Sequence, residues 1–276
     1  MSLFDAFRYD GKRVLVVGGA TGMGGAAAQL ARDAGAEVVA MDFAPITHEG
    51  VQGIKVNLAE KDSIDAAIAE AGGKFDVLMS CAGIADAPGI ERINFIGHKY
   101  MIEQMLAKGM LGRGSSIGMI SSAAGLGWES NLELMQQFIA ITDWDEQVKW
   151  ALDNNKADYL HMKQAMCCYV ATNAFEFLKK GIRINAICPG PTDTPLAQAN
   201  KEMWLGFGSD YRADAGVEAS TPLEQANLLV FLCSDAAAAI SGQTVISDMG
   251  YLASGLTNSY PAANMTAQFL FGRLSF

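Results

Sequence analysis

In the stretch NNKADYLHMKQAMCCYV, residues 154–170, Tyr159 stands four positions before Lys163. On a helix, such a pair shares one face. A free phenol has a pKa of about 10 and exchanges protons poorly near neutrality. One positive charge about 4 Å away, at an effective dielectric of about 20, offers about 4 kcal/mol. That suffices to lower the phenol by roughly 2–3 pKa units, into the range of general acid–base catalysis on a hydroxyl or carbonyl. Taken alone, the spacing equally describes an ordinary surface pair, so the surrounding chemistry decides.

Residues 16–25, VVGGATGMGG, place Gly18, Gly22 and Gly24 where an apolar run passes into a helical pattern. A strand-to-helix turn leaves free N–H groups at the positive helix end, a seat for a pyrophosphate, and glycines allow the backbone to approach closely. The Thr21 hydroxyl adds a donor. The alternative is a plain packing turn. Asp42 ends the next apolar run, 18 positions after Gly24 (42 − 24), close to the ~20 expected of an acid that binds the adenosine ribose diol. Its carboxylate repels a 2′-phosphate, and Phe43, Ala44 and Pro45 follow without a cation. The alternative there is a strand-end turn residue. Ser122 follows another apolar run, at the end of a strand where open α/β sheets bind ligands. Its hydroxyl can donate to a carbonyl oxygen that gains charge.

These groups need a scaffold. Seven short apolar runs recur, at residues 12–19, 36–42, 54–57, 75–83, 115–122, 182–190 and 244–250, with helical patterns at 24–35, 61–73 and 94–109 among the intervening segments. The alternation predicts a Rossmann-type, doubly wound α/β fold: a mostly parallel seven-stranded sheet with helices on both faces, in one domain spanning 1–276. Thirty-six residues separate Ser122 from Tyr159, too long for an unstructured loop, so a helical insert is predicted at about 126–154. Within it, residues 131–141 have helical spacing, and Thr142 with Asp145 resembles a capping box. The segment at about 196–216, with Met203, Trp204, Leu205 and Phe207, reads as an apolar lid.

Composition narrows the function. Half the residues are hydrophobic and 18% charged, which supports a sizeable core and argues against disorder. A net charge of −10 argues against nucleic acid or an anionic membrane surface as partner. The five cysteines lack a CxxC spacing and sit in apolar settings, which fits reduced thiols in a cytoplasmic protein. His48, His98 and His161 share no metal-ligand spacing, so no metal is expected. The first twelve residues have no apolar signal core, and no apolar run is long enough to span a membrane.

In this order, the motifs resemble the short-chain dehydrogenase/reductase family over nearly the whole chain. The resemblance is carried by the glycine motif, Asp42, CAG at 81–83, Asn94 in NFIG, ISS at 120–122, Tyr159-x-x-x-Lys163, PGPTDT at 189–194 and SDMG at 247–250. Within the family, the long insert and its surroundings look most like bacterial 3α-hydroxysteroid dehydrogenase/carbonyl reductases. The resemblance implies that Tyr159 is the acid/base, that Lys163 lowers its pKa and binds the nicotinamide ribose, that Ser122 holds the substrate oxygen, and that Asn94 joins a water-mediated proton relay behind Lys163. The bland role for Asn94 is a helix cap. It further implies NAD as cofactor, contacted by Gly18, Thr21, Gly22, Met23, Gly24, Asp42, Asn57, Leu58, Cys81, Ala82, Gly83, Tyr159, Lys163, Pro189, Gly190, Thr192 and Thr194. Three positions depart from the family pattern: Val17 for Thr, Asn57 for Asp and Cys81 for Asn.

The expected activity is NAD-dependent interconversion of a secondary alcohol and a ketone. The insert (Trp128, Leu132, Leu134, Met135, Phe138, Trp144, Trp150) and the lid are expected to line a pocket for a small-molecule, bulky hydrophobic substrate: a steroid, terpenoid or aryl ketone. A sugar or diol dehydrogenase and a non-catalytic NAD sensor are the alternatives. Relatives commonly assemble through helix faces, so a homodimer or homotetramer is expected.

Overall fold

The computed structural model describes residue 2 and residues 4–274. The seven apolar runs form β1 (Arg13–Val17), β2 (Glu37–Asp42), β3 (Val51–Lys55), β4 (Val77–Ser80), β5 (Ser116–Ile120), β6 (Arg183–Pro189) and β7 (Thr244–Ser247). They make one sheet ordered β3-β2-β1-β4-β5-β6-β7, and all six pairings are parallel. Side-chain alternation divides each central strand between two cores. Leu15, Val17, Val39, Met41, Leu78, Ile117 and Met119 enter one core, whereas Val14, Val16, Val38, Val77, Met79 and Ile120 enter the other. Each fully buried aliphatic side chain contributes about 1.5–3 kcal/mol, so the central strands require helices on both faces.

The helices are α1 (Gly22–Asp33), α2 (Lys61–Ala71), α3 (Gly97–Ala107), α4 (Leu132–Ala140), α5 (Trp144–Asp153), α6 (Tyr159–Lys179), α7 (Pro195–Ala199), α8 (Lys201–Trp204), α9 (Ser209–Ala215), α10 (Pro222–Cys233), α11 (Tyr251–Leu256) and α12 (Asn264–Leu270). On one face, Ala27, Ala28 and Ala31 of α1 pack with Ala226, Leu229 and Leu232 of α10. On the other, α2, α3 and α6 supply Ile64, Ile68, Met101, Met105, Met162 and Met166. The strand order reverses between β1 and β4, which opens a crevice at their carboxyl ends.

Three local expectations change. The third strand runs Val51–Lys55, not 54–57: as an edge strand it buries only Ile54 well, and Gly53 lies under Ile46. The helix expected from residue 94 opens with a π-helical turn, Arg92–Ile96, before α3. The cap of α5 is Asp143, whose carboxylate accepts the Glu146 N–H at 2.9 Å, not Thr142. A carboxylate at the positive helix end outcompetes the preceding hydroxyl.

The insert is helical, but its aromatic residues face the core and not the pocket. Phe138 is fully buried between Phe95 (ring centroids 5.4 Å) and Trp150 (5.1 Å, stacked). Trp144 meets Tyr100 edge-on at 5.6 Å. Met135 joins the same core, with Trp128 and Leu134 packed against it, while Leu132 stays exposed. The side chains expected as pocket wall therefore fill the α3/α6 side of the sheet. The Lys99 ammonium, donating to the Ile141 carbonyl at 2.8 Å, and the Gln147 amide, donating to that of Phe138 at 2.9 Å, satisfy the insert's buried backbone.

Candidate active site

Helix α6 starts at Tyr159 because Asp158 caps it, accepting the His161 N–H at 2.9 Å. Lys163, one turn on, is buried, and its ammonium donates to the Ile120 carbonyl at 2.8 Å. The ammonium lies 5.6 Å from the Tyr159 ring centroid. Of the two serines ending β5, Ser121 is engaged with the scaffold: its hydroxyl donates to the Lys163 carbonyl at 2.9 Å and accepts from the Cys167 thiol at 3.2 Å. Ser122 shares a cavity wall with the phenol and accepts the Ala124 N–H at 3.2 Å.

The electrostatics differ from expectation. Burial pushes the Tyr159 phenol above its usual pKa, the Ser122 hydrogen bond opposes this, and Asp86 and Cys188 add to the rise. Burial also pulls the Lys163 pKa down to about 8, and its ammonium is held by the Ile120 carbonyl.

Asn94 sits within the π-helical turn, where it is no cap. Its side chain accepts the Ile84 N–H at 2.8 Å and donates to the Ile84 carbonyl at 2.9 Å, fixing the loop after β4. One helical turn later, fully buried His98 donates from Nε2 to the Ala82 carbonyl at 3.0 Å, and its Nδ1 has no partner. Burial lowers its pKa to about 4, which keeps the ring neutral.

A cleft of about 530 Å³ runs along the carboxyl ends of β1, β2 and β4, lined by Gly18, Thr21, Gly22, Met23, Gly24, Asp42, Asn57, Leu58, Cys81, Ala82 and Gly83. Its shape suits a dinucleotide. Gly18 has φ +85°, and a Cβ there would meet Ala82 N at 2.4 Å; a Cβ on Gly24 would meet the Gly18 carbonyl at 2.1 Å. Asp42 stands at the far end, its carboxylate accepting the Ala20 and Ala44 N–H groups, each at 2.9 Å. Asn57 accepts the Ala59 N–H at 3.1 Å and donates to Glu60 at 2.8 Å. Thr192 donates to the Gly190 carbonyl at 3.0 Å, and Thr194 caps α7 by accepting the Ala197 N–H at 3.1 Å, so both hydroxyls also serve local turns.

A second cavity, about 280 Å³, adjoins it, with Ser122, Tyr159, Lys163, Pro189, Gly190, Thr192 and Thr194 in its wall. The segment expected as a lid supplies Met203, Trp204 and Phe207 to the wall, and the Trp204 ring lies 5.1 Å from that of Tyr159. Lys163 is the single charged side chain in this wall among the described residues. Sequence reasoning missed Leu270, contributed by α12, and Phe43, which lines the nucleotide cleft. Leu270 carries no local signal, whereas an apolar residue directly after Asp42 was one. Among the described residues, no cluster of three or more His, Cys, Asp or Glu is placed to hold a metal ion, and no helix is long and apolar enough to cross a membrane.

Comparison with known proteins places this geometry. The family model described as enoyl-(acyl carrier protein) reductase matches residues 18–252. The coniferyl-alcohol dehydrogenase of Pseudomonas sp. (strain HR199) is 27% identical, over 87% of this chain and 96% of its own. The 2-keto-3-deoxy-L-fuconate dehydrogenase of Xanthomonas campestris pv. campestris is 30% identical, over 88% of this chain and 81% of its own. The structure of a 3-alpha-hydroxysteroid dehydrogenase from Pseudomonas sp. B-0831, complexed with NADH, superposes with a TM-score of 0.71 at 23% identity, covering 90% of this chain and 98% of that one. At that identity the likeness establishes the fold.

Proposed function

Because the chain belongs to the short-chain dehydrogenase/reductase family and is an oxidoreductase of the alcohol-dehydrogenase type, we propose that it interconverts a secondary alcohol and a ketone with NAD(H), on a bulky, uncharged, hydrophobic substrate. The observation that carries this reading is the wall around Ser122 and Tyr159. Ile120, Leu196, Met203, Trp204, Phe207 and Leu270 surround the two hydroxyls, and no carboxylate, guanidinium or imidazole joins them among the described residues. Such a wall offers a carboxylate or phosphate on the substrate no cation besides Lys163, whose ammonium already donates to the Ile120 carbonyl.

The cofactor, when bound, supplies the hydride; Gly18, Thr21, Gly24 and Asp42 would hold its adenosine end, and Lys163, Thr192 and Thr194 its nicotinamide end. The Ser122 hydroxyl donates to the substrate oxygen. Tyr159 delivers a proton to that oxygen during reduction and removes it during oxidation, and the buried Lys163 charge favours the phenolate when ionised. Asn94 holds the loop that borders the nicotinamide end. The coniferyl-alcohol dehydrogenase acts by its name on an aromatic alcohol, which supports the bulky apolar part of this reading, a steroid, terpenoid or aryl ketone. The 30% identity to a 2-keto-3-deoxy-L-fuconate dehydrogenase favours a sugar-type substrate as the second reading, and the apolar wall opposes it. The five free thiols fit a reducing, cytoplasmic setting. A homodimer or homotetramer is proposed, because α6 leaves Phe175 and Leu178 exposed; a monomer in sedimentation at micromolar concentration would contradict it.

The test is a substrate panel followed by NADH absorbance, comparing a polycyclic ketone, a short aliphatic ketone and a sugar. The polycyclic ketone should give the highest kcat/KM, since each buried methylene adds about 0.8 kcal/mol. Tyr159→Phe should lower turnover by about 10²–10⁴ while NADH still binds. Equal or higher efficiency on the sugar overturns the substrate class, and a Tyr159→Phe variant with more than about a tenth of wild-type turnover overturns the acid assignment.

A further inference from the structure

Resting on the reading of Tyr159 as proton donor, we propose that Asp86 is a positioning residue, which holds the catalytic tyrosine in place from outside its helix. The Asp86 Oδ1 accepts the backbone N–H of Tyr159 at 2.7 Å. Tyr159 is the first residue of α6, so this N–H is among those the helix cannot satisfy itself. Asp158 takes the His161 N–H, and the catalytic turn is therefore fixed by two carboxylates from different segments. Both sit at the positive end of the helix, where negative charge is favourable.

The segment that presents Asp86 is fixed in turn. It follows β4, borders the nucleotide cleft at Cys81–Gly83, and is held by His98 at Ala82 and by Asn94 at Ile84. Bonds and backbone thus run without a break from Asn94 through Ile84 to Asp86 and on to Tyr159. A displacement of about 1 Å at a reacting group can cost about 10²-fold in rate, so a bond that fixes the tyrosine's own backbone bears directly on turnover.

The carboxylate also carries charge. The groups that bear on the phenol's charge are Ser122 after β5, Cys188 on β6 and Asp86 in the loop, with the Lys163 ammonium 5.6 Å and the Trp204 ring 5.1 Å from its ring centroid and the Asp158–His161 pair on the same turn. Asp86 disfavours the phenolate. Removing its charge while keeping an acceptor should therefore let the tyrosine ionise at lower pH.

Asp86→Asn and Asp86→Ala in the full chain test this, with kcat and KM measured in both directions between about pH 6 and 10 on the best substrate of the panel. Asp86→Asn should keep plateau kcat within about twofold. Its kcat/KM for alcohol oxidation should rise at a lower pH than in the wild type, and its ketone-reduction profile should fall correspondingly earlier. Asp86→Ala should lose about tenfold or more in kcat, with KM for NADH unchanged. Wild-type pH profiles in the Asn variant together with wild-type kcat in the Ala variant overturn the proposal. If the Ala variant fails to fold, the Asn profile alone decides. Failure of the underlying reading looks different: Tyr159→Phe then retains turnover, whereas failure of this proposal leaves that variant inactive and both Asp86 variants like wild type.

Discussion

The Lys163 ammonium donates to the Ile120 carbonyl at 2.8 Å, tying the first turn of α6 to the end of β5 through a buried charge. Burial lowers the Lys163 pKa to about 8, against about 10.4 in an unfolded chain. The folded state therefore binds this proton more weakly than the unfolded one. Protonated Lys163 destabilises the fold below about pH 8, and stability grows as pH rises from about 8 to about 10.4. Lys163→Met, of similar length and uncharged, should raise the Tm of the cofactor-free protein by a few degrees at about pH 7 while abolishing turnover. The gain should shrink near pH 10, where the wild-type lysine is neutral. Thermal melts at both pH values check this, and a variant less stable than wild type at pH 7 contradicts it.

Phe138 separates a core role from a pocket role for the insert. It lies fully buried between Phe95 and Trp150. Phe138→Ala should cost about 3–5 kcal/mol in denaturant unfolding, yet leave KM for the preferred substrate within about twofold. A large KM change with little loss of stability would return the insert to the pocket wall.

The contrast between that residue and the glycine motif explains what the sequence made legible. Gly18, Gly24 and Asp42 act through one βα turn and the next strand end, so their spacing carries their geometry. The central strands were legible because burial on both faces leaves uninterrupted apolar runs. The edge strand β3 was displaced because residues open to solvent, Gln52 and Gly53, need not be apolar. Aromatic content in the insert showed that something is covered, but not which surface, since core and pocket walls use the same side chains. Asp86 and Leu270 left no trace: one acts on Tyr159, 73 positions away, and the other reaches the pocket from α12.

Cofactor choice should follow Asp42. Its carboxylate already accepts two backbone N–H groups, and its remaining lone pairs suit a ribose diol but repel a 2′-phosphate. NADH should therefore give a higher kcat/KM than NADPH, and Asp42→Asn should narrow the gap by about tenfold or more. Lys55, paired in register with Asp42 and held 5.4 Å over the Phe43 ring, is the nearby cation that sequence adjacency did not reveal. Lys55→Ala should reduce residual NADPH activity more than NADH activity. A lower KM for NADPH than for NADH in the wild type overturns the assignment.

Trp204 should govern substrate size. Its ring is tilted 50° against that of Tyr159 with centroids 5.1 Å apart, so the lid rests directly on the tyrosine proposed as acid. The lid keeps this pose through Arg212, which donates to the Phe207 carbonyl at 2.8 Å and also to that of Leu205. Gly208, with φ +62°, lets the chain turn between α8 and α9. A large apolar substrate gains most from this ring, because an aromatic wall removes about 150–250 Å² from water at about 25 cal/mol per Å², of which sharing with other walls leaves about 1–3 kcal/mol. Trp204→Ala should accordingly lower kcat/KM for a polycyclic ketone by about 10–100-fold, with a short aliphatic ketone changed by less than about threefold. Trp204→Phe should recover part of the loss, since it restores an aromatic face without the indole's full area. Steady-state kinetics on the two ketones decide the matter. An equal loss on both would assign Trp204 to holding Tyr159 in place, and no loss on either would mean that the lid does not reach the bound substrate.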